Sequence, residues 1–157
     1  MLTEQLTEPA VRAWTRLLRA YVSTTRVLSA ELQEHHGLTL NDYEALLVLS
    51  RAEDGRMKRV ELARSLMLTP SGITRLLQGL EDAGLVERAS CATDLRVTYA
   101  QLTDAGRQKL ESASGGHMTS VRALFEQHFA PDEIEAIAEI LGKLPGVADG
   151  DESCTPG

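Results

Sequence analysis

Residues 58–88, KRVELARSLMLTPSGITRLLQGLEDAGLVER, decide how the rest of the chain is read. A short helix is expected from about Lys58 to Leu66, followed by a tight connection through Met67 and Leu68. Thr69 and Pro70 then read as the N-cap and first residue of a second short helix. A threonine oxygen can take up an orphan backbone N–H, and proline loses nothing at the first helical position. Ile73, Leu76, Leu77 and Leu80 fall at i, i+3, i+4 and i+7, one apolar stripe, and Gly84 supplies the stop. The stripe leaves Ser71, Thr74, Arg75 and Gln78 on the outer face, side chains of the kind that read base edges and phosphates.

Two short helices joined by a tight turn also occur in proteins that never touch DNA, so the residues C-terminal to the pair carry the distinction. Leu85 to Arg88 reads as a strand and Ala89 to Leu95 as a polar loop. Arg96 to Leu102 reads as a second strand, with Val97 and Tyr99 alternating with Thr98 and Ala100. A hairpin directly after the outer helix is a wing, able to reach the minor groove or backbone while the helix occupies the major groove. The same lobe would equally serve a winged-helix module that binds a protein partner instead of DNA.

Upstream, a long helix is expected from Pro9 to about His35, ended by Gly37, with Trp14, Leu18, Tyr21, Thr25, Leu28 and Leu32 forming an apolar seam. Thr39 and Asp42 make a capping-box pair at the start of a second helix that ends near Arg51, and Glu53, Asp54 and Gly55 read as a turn. Downstream, Thr103 caps a long helix carrying Leu110, Ala113, Val121, Leu124 and Phe125, which the Gly115–Gly116 pair is expected to kink or split. A last helix starts at Pro131 and is expected to bury Ile134, Ile137, Ala138, Leu141 and Leu144. The expected fold class is mostly α with a small β-hairpin wing. A winged helix-turn-helix lobe spans 38–102, a helical dimerisation region is formed by 1–37 and 103–145, and a disordered tail covers 146–157.

Charge fits this division. The 157-residue chain has a net charge of −7, yet the sign is not uniform. Five basic face eight acidic residues in 1–55, seven face five in 56–96, and four face ten in 97–157. Only the middle segment is basic, so an acidic body carries one segment suited to a polyanion. No apolar run is long enough to span a bilayer and the first residues, MLTEQLTEPA, lack a secretory signal, so a cytoplasmic protein without membrane partners is expected.

The order of these elements, together with LARSLMLTPSGITRLLQGLEDAGLVER, the wing Asp94-Leu95-Arg96 and Leu102-Thr103-Asp104-Ala105-Gly106, resembles the MarR family of bacterial regulators. The resemblance covers nearly the whole chain. It implies a DNA-binding transcription regulator, by family default a repressor. It further implies a triangular homodimer whose winged lobes sit on a pseudo-palindromic operator in double-stranded DNA and are released by a small aromatic or anionic ligand. By the same resemblance Arg96 enters the minor groove and Asp94 helps orient it. The wing CATDLR departs from the family in having no basic residue before Asp94, which implies a lighter grip.

Other chemistry is poorly supported. Cys91 has no cationic neighbour in sequence to lower its pKa, and Cys91 and Cys154 form no CxxC pair, so neither a redox sensor nor a zinc site is expected. His35, His36, His117 and His128 read as solvent-facing or capping residues rather than metal ligands. No phosphate loop, G-x-S-x-G or H-E-x-x-H is present, so a non-enzymatic protein without a cofactor is expected. The resemblance extends to a urate-responsive subgroup. Trp14, Asp54, Arg88 and Arg96 stand at places similar to its marking residues and imply a small planar anion, urate or a phenolic acid, as effector. An indole can stack on such a ring, guanidiniums can pair with the anion and a carboxylate can accept its N–H. The alternative is that Trp14 fills the dimer seam and Asp54 is simply a turn residue.

Overall fold

A computed structural model describes residues 8–90 and 96–147. The order is α1 (Pro9–His36), α2 (Leu40–Arg51), a 3-10 turn (Glu53–Gly55), β1 (Arg56–Lys58), α3 (Arg59–Ser65), α4 (Pro70–Asp82), β2 (Val86–Ser90), β3 (Thr98–Leu102), α5 (Asp104–Glu126) and α6 (Pro131–Gly142). The chain divides into two units, Met1–Met118 and Thr119–Gly157. No helix among the described residues is long and apolar enough to cross a membrane.

The local signals act where the sequence places them. Gly37 ends α1 with a positive φ of 66°. Thr39 and Asp42 exchange their hydrogen bonds at the start of α2, Thr39 N donating to Asp42 Oδ2 at 2.8 Å and Asp42 N to Thr39 Oγ1 at 3.1 Å. These reciprocal bonds satisfy two orphan donors at once. Leu38, Tyr43, Leu46 and Leu49 of the α2 segment are buried with Leu62 of α3, Leu77 of α4 and Leu110 of α5. One continuous core therefore sits beneath the helix-turn-helix.

Three expectations about the elements are corrected. The wing belongs to a three-stranded antiparallel sheet in the order β1-β3-β2, because Arg56–Lys58 pairs with β3 through Arg56↔Gln101, Met57↔Ala100 and Lys58↔Tyr99. Along the hairpin the register runs from Val86↔Leu102 to Ser90↔Thr98, so β2 extends beyond Arg88 and Arg96 precedes β3. The Gly115–Gly116 pair does not split α5, which runs as one helix from Asp104 to Glu126. Leu110, Ala113 and His117 bury one face across this stretch, and such packing outweighs a propensity cost of about 1 kcal/mol per glycine.

The burial expected of the last helix is also corrected. No residue of α6 is buried within the single chain: Ile134, Ile137 and Leu141 are half-buried, and Ala138, Ile140 and Leu144 are exposed. The α1 seam behaves similarly, with Leu32 buried, Leu28 half-buried and Trp14, Leu18 and Tyr21 exposed. Both amphipathic helices thus carry exposed apolar side chains.

Candidate nucleic-acid interface

The two helices of the motif meet through a tight turn. Leu68 N donates to Ala63 O at 2.9 Å and Met67 N to Arg64 O at 3.0 Å, the paired bonds of a left-handed helix stop. Met67 occupies the left-handed position with φ 51°, where glycine is usual, and its side chain is 83% exposed. Thr69 then caps α4, its Oγ1 accepting from Gly72 N at 3.1 Å, and Pro70 opens the helix. Ile73, Leu77 and Leu80 are buried, which fixes the opposite face outward.

Ser71, Thr74, Arg75 and Gln78 are all exposed on that outer face, in the positions the spacing predicts. Their hydrogen bonding separates them. Thr74 Oγ1 donates to Pro70 O at 2.8 Å and Ser71 Oγ lies 3.2 Å from Thr69 Oγ1, so both hydroxyls are engaged with their own helix start. Gln78 Nε2 donates to Asp82 Oδ1 at 2.8 Å. Sequence reasoning missed Asp82, although its i+4 spacing from Gln78 was available as a signal. This bond holds the Gln78 amide in one orientation and leaves its oxygen and second N–H for a base edge. The Arg75 side chain is held by no hydrogen bond or ion pair among the described residues, so its guanidinium is available to phosphate or guanine.

Between α3 and α4 lies a cleft of about 440 Å³ lined by Arg59, Val60, Arg64, Leu68 and Thr74, among others. Two guanidiniums on one rim and the α4 face on the other suit a phosphate backbone running alongside the reading helix.

On the wing, Arg56 of β1 lies 5.3 Å from the centre of the Tyr99 ring, a cation–π contact on the outer face of the sheet. Arg96 is exposed just before β3. Asp94, expected to orient it, lies outside the described residues, as do Cys91, Cys154 and positions 148–157 of the expected tail.

The base of the wing is clamped. Thr103 Oγ1 accepts from Gly106 N at 3.0 Å and donates to Gly84 O at 2.7 Å, while Thr103 N donates to Leu85 O at 3.1 Å. A Cβ on Gly106 would lie 2.0 Å from Leu85 O, so only glycine lets α5 approach the end of α4 this closely. This is the physical content of the Leu102-Thr103-x-x-Gly106 signature.

Of the expected effector residues, Asp54 adopts a positive φ of 54° in the 3-10 turn, Arg88 pairs with Ala100 across the sheet, and Trp14 lies on α1. All four, Arg96 included, are exposed. The clefts along α1 are lined by other residues, among them Tyr21, Val22, Arg26 and Asn41. His117 departs from expectation: it is only 8% exposed.

Residues 36–96 match the model of the MarR family. The chain is 32% identical over 117 residues to the HTH-type transcriptional repressor YetL of Bacillus subtilis, covering 72% of this chain and 70% of that protein. It is 25% identical to the HTH-type transcriptional regulator MhqR of the same organism, over 88% of this chain and 93% of that one. Among solved structures, AbsC, a MarR family transcriptional regulator from Streptomyces coelicolor, superimposes with a TM-score of 0.76 at 32% identity, over 85% of this chain and 90% of that one. Sco3205 of the same organism, solved in complex with DNA, gives 0.76 at 28% identity, over 82% and 83%.

Proposed function

The chain belongs to the MarR family of transcriptional regulators, and from that premise we propose that it is a repressor that binds a pseudo-palindromic operator as a homodimer. The observation that carries the reading is the outer face of α4, where Arg75 and the oriented Gln78 stand beside the cationic rim of Arg59 and Arg64. Arg96, at the tip side of the wing, extends this face toward the adjacent minor groove. The repressor YetL and the DNA-bound Sco3205 lend the reading support by likeness.

The homodimer rests on the uncovered apolar surface of α1 and α6, including Trp14 (62% exposed) and Ile140. Two copies covering these faces would set paired winged lobes on inverted half-sites with centres about 10 to 10.5 base pairs apart. The effector is a small planar anion, urate or a phenolic acid, held through Trp14, Asp54, Arg88 and Arg96. Its engagement of Arg96 withdraws the wing from DNA by differential affinity for the free dimer.

A mobility-shift titration on the intergenic duplex upstream of the protein's own coding sequence tests the core of this reading. A sequence-dependent shift with a two-fold symmetric footprint is expected, reversed by urate or salicylate but not by a neutral aromatic. Sedimentation should return about twice the 17.1 kDa chain mass. A monomer that shifts specific and scrambled duplexes alike would refute the operator model and leave a protein-interaction module in its place. No release by either anion at millimolar concentration would remove the effector assignment alone.

A further inference from the structure

Buried polarity is concentrated where α1, α2 and α5 meet, on elements the DNA-reading face does not use. From α1, the Glu31 carboxylate has an oxygen, Oε2, that is shielded from solvent and has no hydrogen-bond partner among the described residues. From α2, the ring of Tyr43, 3% exposed, lies 4.5 Å from the His117 ring of α5, the planes tilted by 56°. Tyr43 Oη is 3.2 Å from Ser114 Oγ, and Ser114 Oγ donates to Leu110 O at 2.7 Å. Because the single Ser114 proton is committed to Leu110, Tyr43 is the donor to Ser114.

His117 is the titratable group of this cluster on which the Glu31 charge acts. The groups facing it are few. Glu31 acts on it electrostatically from α1, and Tyr43 offers an uncharged ring from α2. Ala113 and Ser114, one turn earlier on α5, carry no charge. His36 of α1 is the remaining titratable neighbour of this stretch, its Nε2 3.9 Å from the place a Cβ on Gly116 would take.

Burial pushes the His117 pKa below its ordinary value of 6.5, and the Glu31 charge pulls it partly back. A histidine whose folded pKa is depressed stabilises this packing above about pH 6.5, and that stability is lost as the pH falls below it. With a neutral ring the cluster keeps Tyr43 and His117 in contact. A charged ring is desolvated against Tyr43, while an unpartnered carboxylate oxygen waits on the neighbouring helix.

We propose that Glu31, Tyr43 and His117 form a proton-operated latch: a proton from solvent on His117 draws its ring toward Glu31 Oε2, loosens α2 from α5 and weakens the grip of the winged lobe on DNA. The DNA arm of the proposal rests on the operator reading above, whereas the latch itself belongs to the free protein. Two conformations of one seam, biased by a single proton, are sufficient for such a switch.

The experiment follows melting temperature and affinity for the intergenic duplex from pH 7.5 to 5.5 at fixed protein and salt concentration. His117→Phe keeps an aromatic ring against Tyr43 but cannot titrate, and Glu31→Gln keeps the shape but removes the acceptor charge. The native protein should lose melting temperature on acidification relative to His117→Phe, and its affinity should fall at least about threefold more than that of the variant. Glu31→Gln should deepen the acid loss of melting temperature, because the charged ring loses its counter-charge, while lessening the acid loss of affinity, because nothing then draws the ring away. His36→Gln should leave both as in the native protein. Parallel melting profiles for the native chain and His117→Phe overturn the latch. Should His117→Phe not fold, Glu31→Gln decides: an acid loss of melting temperature no larger than native overturns the proposal. Matching melting differences with equal affinity ratios overturn the coupling to DNA. Failure to bind the duplex at any pH refutes the operator reading, and the melting profiles still decide the latch.

Discussion

Replacing Gly106 with alanine tests whether the clamp at the base of the wing holds the reading helix in place. In a helix interior the change ordinarily stabilises by about 1 kcal/mol, because alanine has less backbone freedom to lose. Here the new Cβ would lie 2.0 Å from Leu85 O and 2.7 Å from Leu102 Cδ1, both inside the 3.0 Å below which real Cβ contacts essentially do not occur. The start of α5 must therefore move by about 1 Å, and Leu85 O is the acceptor for Thr103 N, so the movement strains that bond as well. Overpacking of about 1–3 kcal/mol plus a hydrogen bond of about 1 kcal/mol, less the helix gain of about 1 kcal/mol, leaves a net loss of about 1–3 kcal/mol. For a chain of this size that lowers the melting temperature by about 2–12 °C. Gly115→Ala is the matched control, since nothing lies within 4 Å of its Cβ position, and it should raise stability by about 0.5–1 kcal/mol. Calorimetry of the two variants at one protein concentration reads the difference. If Gly106→Ala melted at or above Gly115→Ala, the clamp as described would be wrong.

Other expected outcomes concern the reading helix. Arg75→Ala should weaken operator binding and reduce the slope of log affinity against log salt by about 1 if the guanidinium meets a phosphate, measured by fluorescence anisotropy over a salt series. Asp82→Ala releases the Gln78 amide and removes a negative charge from the exposed face. It should strengthen binding to scrambled duplex while reducing discrimination at one operator position, which a panel of single-base variants would locate. Thr69→Ala deletes the α4 cap and should cost about 1 kcal/mol in urea unfolding.

Much of the architecture was legible because it is specified by local chemistry. Thr39 with Asp42, Thr69 with Pro70, Gly84 and Pro131 each satisfy or terminate a helix end within a few residues of themselves, and the structure uses all of them. The outward set on α4 was equally readable, since a 3.6-residue period places Ser71, Thr74, Arg75 and Gln78 opposite the buried stripe. The features that escaped depend on partners distant in sequence. Arg56–Lys58 is a strand only because β3 pairs with it, and three residues carry too little alternation to announce one. His117 is buried where the Tyr43 ring packs against it from another helix, which no helical period on α5 encodes. Gly106 was recognisable as part of a signature, but its reason, the approach of the Leu85 carbonyl, exists only in three dimensions. Within the site, the hydrogen bonds that engage Thr74 and Gln78 distinguish residues that the period alone treats as equals.

The clamp that joins Gly84, Leu85, Thr103 and Gly106 fixes both ends of the hairpin at its root, from Val86↔Leu102 outward. Because pairing is set there, the distal part of the wing is modular with respect to the reading helix. Residues inserted in cross-strand pairs beyond Ser90 and Thr98 would preserve which side chains face inward, since strands alternate with a period of two. Wing length and wing charge are thus independently adjustable features of this scaffold. A longer or more basic tip could be exchanged from another regulator to change the charge of the wing, while the outward side chains of α4 are left as they are.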